Sequence, residues 1–376
     1  MTSRLDALRA RQPDMLAALE ALVADESPSG AADALATCAH TIGELFTDRL
    51  GSAPTLTDDL HLVWGGGGPS RILLIGHYDT VWPLGTTAAR GFAVSDDRAT
   101  GPGSFDMKAG IVQLVEALAT LDELAGVGVI LTADEETGSF TSRALIEDAA
   151  RAATAALVLE PSIDGCLKTA RKGTGMYTLR VAGRAAHAGL EPEKGANALL
   201  ALAEVVVSIG SFGRPDVGTT VTPTLAKAGT ASNVVPAEAM AEIDFRVAVP
   251  EEATRLDADV RSLRTSVAGT TLTIEGGLNR PPMPASSSVK LFARAQACAT
   301  RLGLPPLDGV AVGGGSDGNL TAAVGTPTLD GLGAVGAGAH ADDEHVVVSS
   351  MPDRAALVAE LVADLLRDGH DGHDGR

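Results

Sequence analysis

Hydrophobic residues in the first 160 positions form short continuous runs, and stretches with helical spacing separate these runs. The runs RILLIG (residues 71–76), GVGVILTA (126–133) and AALVLE (155–160) are typical of strands that are buried on both faces. Residues 106–124, between the first two runs, have the apolar spacing of a helix. Strands that alternate with helices predict an α/β fold with a mostly parallel sheet.

The pattern changes after RKGTG (residues 171–175). MYTLRVAG and MAEIDFRVAV alternate between apolar and polar positions, as half-buried strands do. Helices are predicted from Asn197 and over residues 252–267, and TLTIEG is predicted to be a further strand. This order indicates a β-α-β-β-α-β unit, a small α+β sandwich with helices on one face. NRPPMP (residues 279–284) is predicted to be a linker, after which helices and short buried strands return.

The small α+β region therefore interrupts a larger α/β region. A chain of 376 residues exceeds what one hydrophobic core usually serves, which favours two domains. We predict one α/β domain built from residues 1–172 and 284–376, with residues 173–283 inserted into it. The polar tail DGHDGHDGR is the one low-complexity segment in the sequence.

Composition and charge narrow the functional classes. The net charge of −19 argues against nucleic acid or an anionic membrane as the main partner. No apolar stretch approaches the length of a membrane span, and the amphipathic N-terminal segment lacks the order of a signal peptide. The three cysteines are too scattered to form a disulfide framework or a thiolate zinc cluster. A reduced, cytoplasmic location is therefore expected.

Potential metal ligands follow three of the predicted strands. In an open α/β sheet, ligands bind outside the carboxyl ends of the strands, where these side chains would meet. Each residue also has an ordinary explanation, such as a surface ion pair, a solvated helix start or a helix cap. The five residues at the three strand ends are His77, Asp79, Glu135, Glu136 and Glu160.

Two further segments could add ligands to the same edge. Asp106 opens the predicted helix after GPGSFDMKAG, and the glycine-rich GAGAHADDEHV offers His340 and His345. Imidazole and carboxylate ligands without thiolate suit a catalytic site for zinc, cobalt or manganese. One ligand from each of the three strand ends, together with Asp106 and a late histidine, makes five. Five ligands are more than one tetrahedral ion binds, so the sequence predicts two ions that share a bridging carboxylate. One of the adjacent glutamates would then bind a cation, and its neighbour would take a proton from the attacking water.

Eight segments resemble the two-zinc peptidases that include glutamate carboxypeptidase, acetylornithine deacetylase, succinyl-diaminopimelate desuccinylase and aminoacylase. The segments occur in the family's order over residues 76–345. They are GHYDTV, GPGSFDMKAG, TADEETGS, VLEPS, GRAAHAG, SNVVPAEAMAEIDFR, GGGSDGN and GAHADDEH.

The resemblance implies a role for each matched residue. His77 and Glu160 would bind one zinc ion, Glu136 and His340 the other, and Asp106 would bridge them. The spacing of a histidine and an acid four residues later fits His340 with Glu344, although His345 remains an alternative. The family also implies a cis peptide bond between Asp106 and Met107.

The remaining matches concern catalysis, substrate and assembly. Asp79 would orient the ring of His77, and Glu135 would be the general base. The larger domain would be a catalytic domain of the zinc-exopeptidase type, and residues 173–283 a lid and dimerisation domain. From there His187 would reach the active site of the partner subunit in a homodimer. The residues expected to contact substrate are Asn233 and Arg246, at its carboxylate, and Gly315, in the pocket lining.

The sequence therefore predicts a hydrolase that binds two zinc ions and cuts an amide or peptide bond beside a free carboxylate. GPGSFDMKAG, ARKGTG and GRAAHAG most resemble the glutamate carboxypeptidase branch, and an N-acyl amino acid deacylase is the alternative. The family branch that cleaves indole-acetyl amino acids and hippurate has a metal-binding cysteine where this chain has GSFDMKAG, so membership of that branch is disfavoured. The expected substrate is a small peptide or an N-acyl amino acid.

Two alternatives belong to other classes. A non-catalytic binding protein on the same fold is disfavoured, because Glu135 and all five ligand positions are intact. A nucleotide enzyme of the Rossmann type is disfavoured because GAGAHAD is not placed to open the helix of a βαβ unit.

Overall fold

The computed structural model describes residues 3–367, and the polar tail from residue 368 lies outside this range. The described residues form eleven α-helices and sixteen strands. The helices are α1 (Arg4–Ala10), α2 (Gln12–Ala24), α3 (Ala32–Leu50), α4 (Thr86–Ala89), α5 (Ala109–Leu118), α6 (Arg143–Ala152), α7 (Ala198–Gly210), α8 (Pro250–Ser262), α9 (Ala285–Leu302), α10 (Asp317–Ala323) and α11 (Ser350–Arg367).

The strands are distributed over four sheets. They are β1 (Thr55–Leu56), β2 (Leu62–Gly65), β3 (Ile72–His77), β4 (Ala93–Ser95), β5 (Arg98–Thr100), β6 (Val127–Thr132), β7 (Ala155–Val158), β8 (Leu167–Arg171), β9 (Gly173–Ala182), β10 (Thr220–Ala228), β11 (Glu238–Val247), β12 (Thr271–Arg280), β13 (Gly309–Val312), β14 (Thr328–Leu329), β15 (Gly336–Ala337) and β16 (His345–Val347). None of the helices in residues 3–367 is both long and apolar enough to span a bilayer.

The chain divides into two compact units. The large unit contains the residues up to Ala170, Pro284–Val312 and the residues from Ser316 onward. The small unit contains Arg171–Met283, together with Gly313–Gly315.

The large unit is built on a six-stranded sheet in the order β1-β2-β6-β3-β7-β14. Strand β3 is parallel to both of its neighbours, β6 and β7, and β14 is parallel to β7. Strands β2 and β1 extend the sheet in antiparallel pairs at one edge. The prediction of a mostly parallel central sheet is therefore confirmed.

Helices cover both faces of this sheet, which explains the continuous apolar runs. Ile72 and Leu74 of β3 pack into a core shared with α1, α2, α3, α5, α9 and α11. Leu73 and Ile75 face the opposite way and pack with residues of α6 and α10. Successive residues of a strand point to opposite faces, so a strand buried on both sides requires apolar residues at every position.

A four-stranded antiparallel sheet in the order β15-β16-β5-β4 also belongs to the large unit. The connection between β15 and β16 is the glycine-rich segment that contains His340. His345 lies in β16, where its backbone pairs with Ala337 and Thr100.

The small unit has the β-α-β-β-α-β order that the sequence predicted. Its four strands form an antiparallel sheet in the order β10-β11-β9-β12. Apolar residues of α7 and α8 pack with alternate residues of the strands in one core. The sequence did not locate strand β10, which lies at an edge of the sheet and is almost entirely exposed.

Several predicted boundaries were wrong by a few residues. The helix expected over residues 106–124 is α5, Ala109–Leu118, and a π-helical turn, Ser104–Lys108, precedes it. The helix expected over residues 252–267 is Pro250–Ser262. Part of the expected linker, up to Arg280, belongs to strand β12.

Candidate metal centre

Three neighbouring parallel strands deliver potential metal ligands to one edge of the large unit's sheet. His77 is the last residue of β3 and pairs in register with Thr132, the last residue of β6. A short 3₁₀ turn that begins at Glu135 follows β6, and Glu160 lies two residues after β7. Parallel strands end at the same edge, so their order along the sheet brings these side chains together.

Asp106 lies between two histidines. One of its carboxylate oxygens, Oδ1, is 3.2 Å from Nε2 of His77, and the other, Oδ2, is 3.5 Å from Nε2 of His340. The same nitrogen of His77 is 3.4 Å from Oε1 of Glu160, and that of His340 is 3.0 Å from Oε1 of Glu136. The five predicted ligands therefore form two sets that share Asp106.

Potential ligand atoms also lie close together in two overlapping groups. His77, Glu135 and Glu160 offer atoms within 4.8 Å of one another, and so do His77, Asp106 and Glu136. A group of histidine nitrogens and carboxylate oxygens at this spacing fits the ligand preference of zinc, cobalt or manganese. The residues present therefore fit a site for divalent cations.

The carboxylates shift the titration of both histidines. Burial alone would lower the pKa of His77, but hydrogen bonds with Asp106, Asp79 and Glu160 raise it well above its usual value. Hydrogen bonds with Asp106 and Glu136 raise the pKa of His340 to about 10. Burial opposes ionisation of Asp106, yet its hydrogen bonds with His340 and His77 lower its pKa. The cluster thus attracts positive charge strongly.

Asp79 supports the centre in a way that differs from the expectation. Nδ1 of His77 donates to the main-chain carbonyl of Asp79 at 2.9 Å, whereas the nearest carboxylate oxygen is 3.4 Å away. The buried carboxylate accepts the backbone N–H groups of Glu135 and Glu136, each at 3.2 Å, and the hydroxyl of Ser29 at 2.6 Å. Asp79 therefore holds the glutamate turn through its side chain and His77 mainly through its backbone.

A second buried carboxylate, that of Asp317, accepts hydrogen bonds from residues on both sides of the turn that contains Glu135 and Glu136. Asp317 accepts the hydroxyl of Thr132 at 2.9 Å, before the turn, and the hydroxyl of Ser139 after it. GGGSDGN is one of the segments that carry the family resemblance, but no role was predicted for its Asp317. Another residue that the sequence analysis missed is Lys168, whose Nζ lies 3.7 Å from Oε2 of Glu160.

The geometry separates the two C-terminal histidine candidates. His340 lies against Glu136 and Asp106, and it has a positive φ of 62°. Nδ1 of His345 instead donates to the carbonyl of Asp343 at 2.8 Å. The structure also has a cis peptide bond between Asp106 and Met107, as the resemblance implied.

In the small unit, the loops of His187 and Asn233 lie side by side. His187 pairs with Val234 in an isolated bridge, and the carbonyl of Asn233 accepts the backbone N–H of Ala188 at 2.9 Å. The exposed imidazole of His187 accepts the N–H groups of Gly189 and Leu190 at Nδ1. An acceptor at Nδ1 places the proton of the neutral ring on Nε2, which makes Nε2 a hydrogen-bond donor.

The other two predicted substrate contacts in the small unit have protein partners. Arg246 donates from Nε and Nη2 to the carboxylate of Asp244, at 3.0 and 2.7 Å. A side chain added at Gly315 would meet Arg280 and Thr174 at 3.0 Å. Arg246 is thus held by a carboxylate of its own strand, and Gly315 lies tightly against the side chains of Arg280 and Thr174.

Comparisons with known proteins agree with this arrangement. Residues 73–364 match the family described as Peptidase family M20/M25/M40. Carboxypeptidase G2 of Pseudomonas sp. (strain RS-16) is 31% identical over 94% of this chain and 90% of its own length. A succinyl-diaminopimelate desuccinylase of Xanthomonas campestris is 29% identical, over 86% of this chain and 93% of its own.

Solved structures share the fold at lower sequence identity. Aminopeptidase PepT of Bacillus cereus superposes with a TM-score of 0.77 at 23% identity, over 94% of this chain and 99% of its own. An M20 family metallo-carboxypeptidase of Sulfolobus solfataricus gives 0.75 at 16% identity, over 93% and 98%. From the family match and the extent of the similarity to carboxypeptidase G2, we conclude that the chain belongs to peptidase family M20/M25/M40 and is a hydrolase of amide bonds.

Proposed function

We propose that the protein is a hydrolase with two divalent cations, preferably zinc, that cleaves an amide or peptide bond beside a free carboxylate. The observation that carries this proposal is the position of Asp106, whose two oxygens face two different histidines. His77 and Glu160 would hold one ion, Glu136 and His340 the other, and Asp106 would bridge. When bound, the ions would polarise the scissile carbonyl and make water a better nucleophile near neutral pH.

Glu135 is proposed as the general base. It is mostly buried, with 9% of its surface exposed, and it shares a group of close ligand atoms with His77 and Glu160. Its backbone N–H is fixed by Asp79, which orients the start of the turn. In this role Glu135 takes a proton from the attacking water and passes it to the leaving nitrogen.

The small unit would contribute the contacts to substrate. His187 would donate from Nε2 to the oxygen that gains negative charge as the carbonyl is attacked. Arg246 and Asn233 would hold the substrate carboxylate, and Gly315 would line the pocket. Because Arg246 is paired with Asp244, a substrate carboxylate must share or displace that partner.

A homodimer formed through the small unit is part of the proposal. Strand β10 presents an exposed edge, and helix α7 exposes Leu199, Leu200 and Val207, the last to 78%. Unpaired strand edges and exposed apolar residues are the features that a second copy would cover. The three cysteines are free, which supports a reduced, cytoplasmic setting.

The preferred substrate is a peptide or conjugate with a C-terminal glutamate, as the similarity to carboxypeptidase G2 suggests. Removal of an acyl group from an amino acid is the second candidate, favoured by the similarity to succinyl-diaminopimelate desuccinylases. Both reactions need the same metal centre and a free carboxylate on the substrate. They differ in the group on the other side of the amide bond.

Metal analysis and a substrate panel test the proposal. Purified protein should contain about two divalent ions per chain. Removal of metal should abolish hydrolysis, and zinc, cobalt or manganese should restore it. C-terminal glutamyl conjugates should be cleaved faster than acetyl or succinyl amino acids. Full activity in metal-free protein would refute the metal centre, and a preference for acyl amino acids would select the second candidate.

A further inference from the structure

Glu344 is a buried carboxylate that connects the segments carrying two of the proposed metal ligands, Asp106 and His340. Only 2% of its surface is exposed. Its Oε1 accepts the backbone N–H groups of Phe105 and Asp106 at 3.0 and 3.1 Å. Its Oε2 accepts the backbone N–H of Gly103 at 2.9 Å and the indole N–H of Trp82 at 2.8 Å. Each oxygen therefore has two donors.

Three of these four donors belong to the turn that presents Asp106. The backbone there has non-helical dihedral angles at Asp106 and Met107, and the N–H groups of Gly103, Phe105 and Asp106 donate to Glu344. Several backbone N–H groups that converge on one carboxylate form a strong, directional anion site. The carboxylate of Glu344 is thus the anion that the backbone N–H groups at the start of this turn bind.

The backbone of Glu344 is connected to the loop of His340 by two hydrogen-bonded turns. The backbone N–H of Glu344 donates to the carbonyl of Ala341, and that of Ala341 donates to the carbonyl of Gly338. Gly338 has a φ of 82°, and a Cβ there would come within 2.8 Å of the backbone of Glu344. The connection from residue 338 to 344 is therefore tight, and a displacement of Glu344 would move His340.

We propose that Glu344 is a positioning residue that sets the separation between Asp106 and His340, two ligands of one proposed metal ion. This inference rests on the proposed function, because it assigns Glu344 a purpose only if those residues bind metal. Glu344 acts through the backbone of the Asp106 turn and through the His340 loop. Its charge matters because all four groups that hydrogen-bond to its oxygens are donors.

Replacement of one oxygen by an amide nitrogen is the direct test. In Glu344→Gln, two donors must face an NH₂ group, so the turn and the loop should separate. Loss of a group that supports metal ligands typically weakens metal affinity by about 10- to 100-fold. Competition with a chelator should show that the ion held by Glu136 and His340 loses affinity by this factor, while the ion held by His77 and Glu160, which shares only Asp106, loses less. The kcat of the zinc-loaded enzyme should fall while KM changes little.

Two further variants make the result specific. Glu116→Gln alters another buried carboxylate of the large unit, held by Arg11 and Arg49, and should destabilise the fold while both ions keep their affinities. Trp82→Phe removes one of the four donors and keeps the carboxylate, so it should lower the affinity for the same ion by a few-fold. It provides the measurement if Glu344→Gln does not fold.

The outcomes separate this inference from the proposed function. Wild-type protein that binds fewer than two ions would overturn the proposed metal centre and this inference with it. Two ions in the wild type, with unchanged affinities in Glu344→Gln and Trp82→Phe, would overturn the role of Glu344 alone. Equal weakening in Glu344→Gln and Glu116→Gln would mean that general destabilisation explains the effect, and would also overturn it.

Discussion

Glu135 and Glu136 are adjacent in the chain, but their environments differ. Glu136 lies against His340, and burial raises its pKa in spite of that hydrogen bond. Glu135 instead groups with His77 and Glu160. The 3₁₀ turn after β6 directs the two side chains to different partners, and Asp79 fixes the backbone N–H of both. A metal ligand and a proton acceptor can therefore stand next to each other in the sequence.

This difference predicts separate effects of two isosteric substitutions. Glu135→Gln should keep both metal ions and lower kcat by about two to four orders of magnitude, because a general base is lost. Glu136→Gln should release or weaken one ion, because a charged ligand becomes a neutral one. Metal content and kcat should be measured on the same preparations. Equal metal loss in the two variants would contradict the division of roles.

Arg246 leads to a second prediction at this scale. Arg246→Ala should lower kcat/KM for substrates with a free carboxylate, because the charge pair between Arg246 and that carboxylate is lost. The decrease should correspond to about 2–5 kcal/mol of lost transition-state stabilisation. Substrates amidated at that carboxylate should hardly change. Asp244→Asn serves as the control, since it removes the partner of Arg246 and keeps the guanidinium. If both variants impaired the acid and the amide equally, the Arg246–Asp244 pair would be structural.

At the scale of helices and strands, the sequence predicted those elements that a local pattern of apolar and polar residues marks. The continuous apolar runs of β3 and β6 identified strands covered on both faces. Alternation identified β9 and β11, each with one buried face. Strand β10 was missed because Pro223 interrupts its pattern and because, at an edge of the sheet, it buries almost nothing.

The hydrogen bonds that support the proposed metal centre could not be predicted, because they come from distant parts of the chain. Asp106 was expected at the start of a helix, but it lies in a turn that Glu344, 238 residues away, holds by its backbone. Asp317 supports Ser139, which is 178 residues away. A pattern of residue types can indicate which side chains bind a metal, but it carries no signal for such long-range hydrogen bonds.

The N-terminal helices are held to α5 by an ion triad around the buried carboxylate of Glu116, which predicts a pH effect. Glu116 of α5 accepts bidentate hydrogen bonds from Arg11, next to α2, and from Arg49 of α3. Burial alone would raise the pKa of Glu116, but these hydrogen bonds outweigh burial and lower it. A carboxyl whose pKa is lowered by folding stabilises the fold above its unfolded pKa, which is about 4.3. That stabilisation is lost as the pH falls further.

Glu116→Gln should therefore lower the free energy of unfolding at pH 7 by about 2–3 kcal/mol. This is less than for a fully buried pair, because both arginines are partly exposed. The difference from the wild type should shrink between about pH 5 and pH 3, as Glu116 takes up a proton in the wild type. Urea unfolding across this range measures it. A difference independent of pH would show that the charge of Glu116 contributes nothing.

At the scale of the whole molecule, the chain leaves the large unit for Arg171–Met283 and again, briefly, for Gly313–Gly315. The large unit contains every proposed metal ligand, together with Glu135, whereas His187 and Arg246 belong to the small unit. Catalysis as proposed therefore requires groups from both units. The family resemblance implies that His187 serves the active site of the other subunit, so a complete site would need two chains.

His187 provides the sharpest test of this assembly. Its Nδ1 accepts two backbone N–H groups, so Nε2 carries the proton and can donate to an oxyanion. Loss of such a donor typically costs about 10²–10³ in kcat, so His187→Ala should be nearly inactive with both metal ions in place.

Mixed dimers then distinguish action within one chain from action across the dimer. Homodimers of Glu135→Gln and of His187→Ala each lack one essential group at both sites. If His187 serves the partner subunit, a mixed dimer has one site that lacks both groups and one that lacks neither. Random reassortment of equal amounts should restore about a quarter of the wild-type activity per site, because half of the dimers are mixed and half of their sites are complete. Subunit exchange should be verified with differently tagged chains. If exchange occurs and activity does not return, His187 acts within its own chain or has no catalytic role.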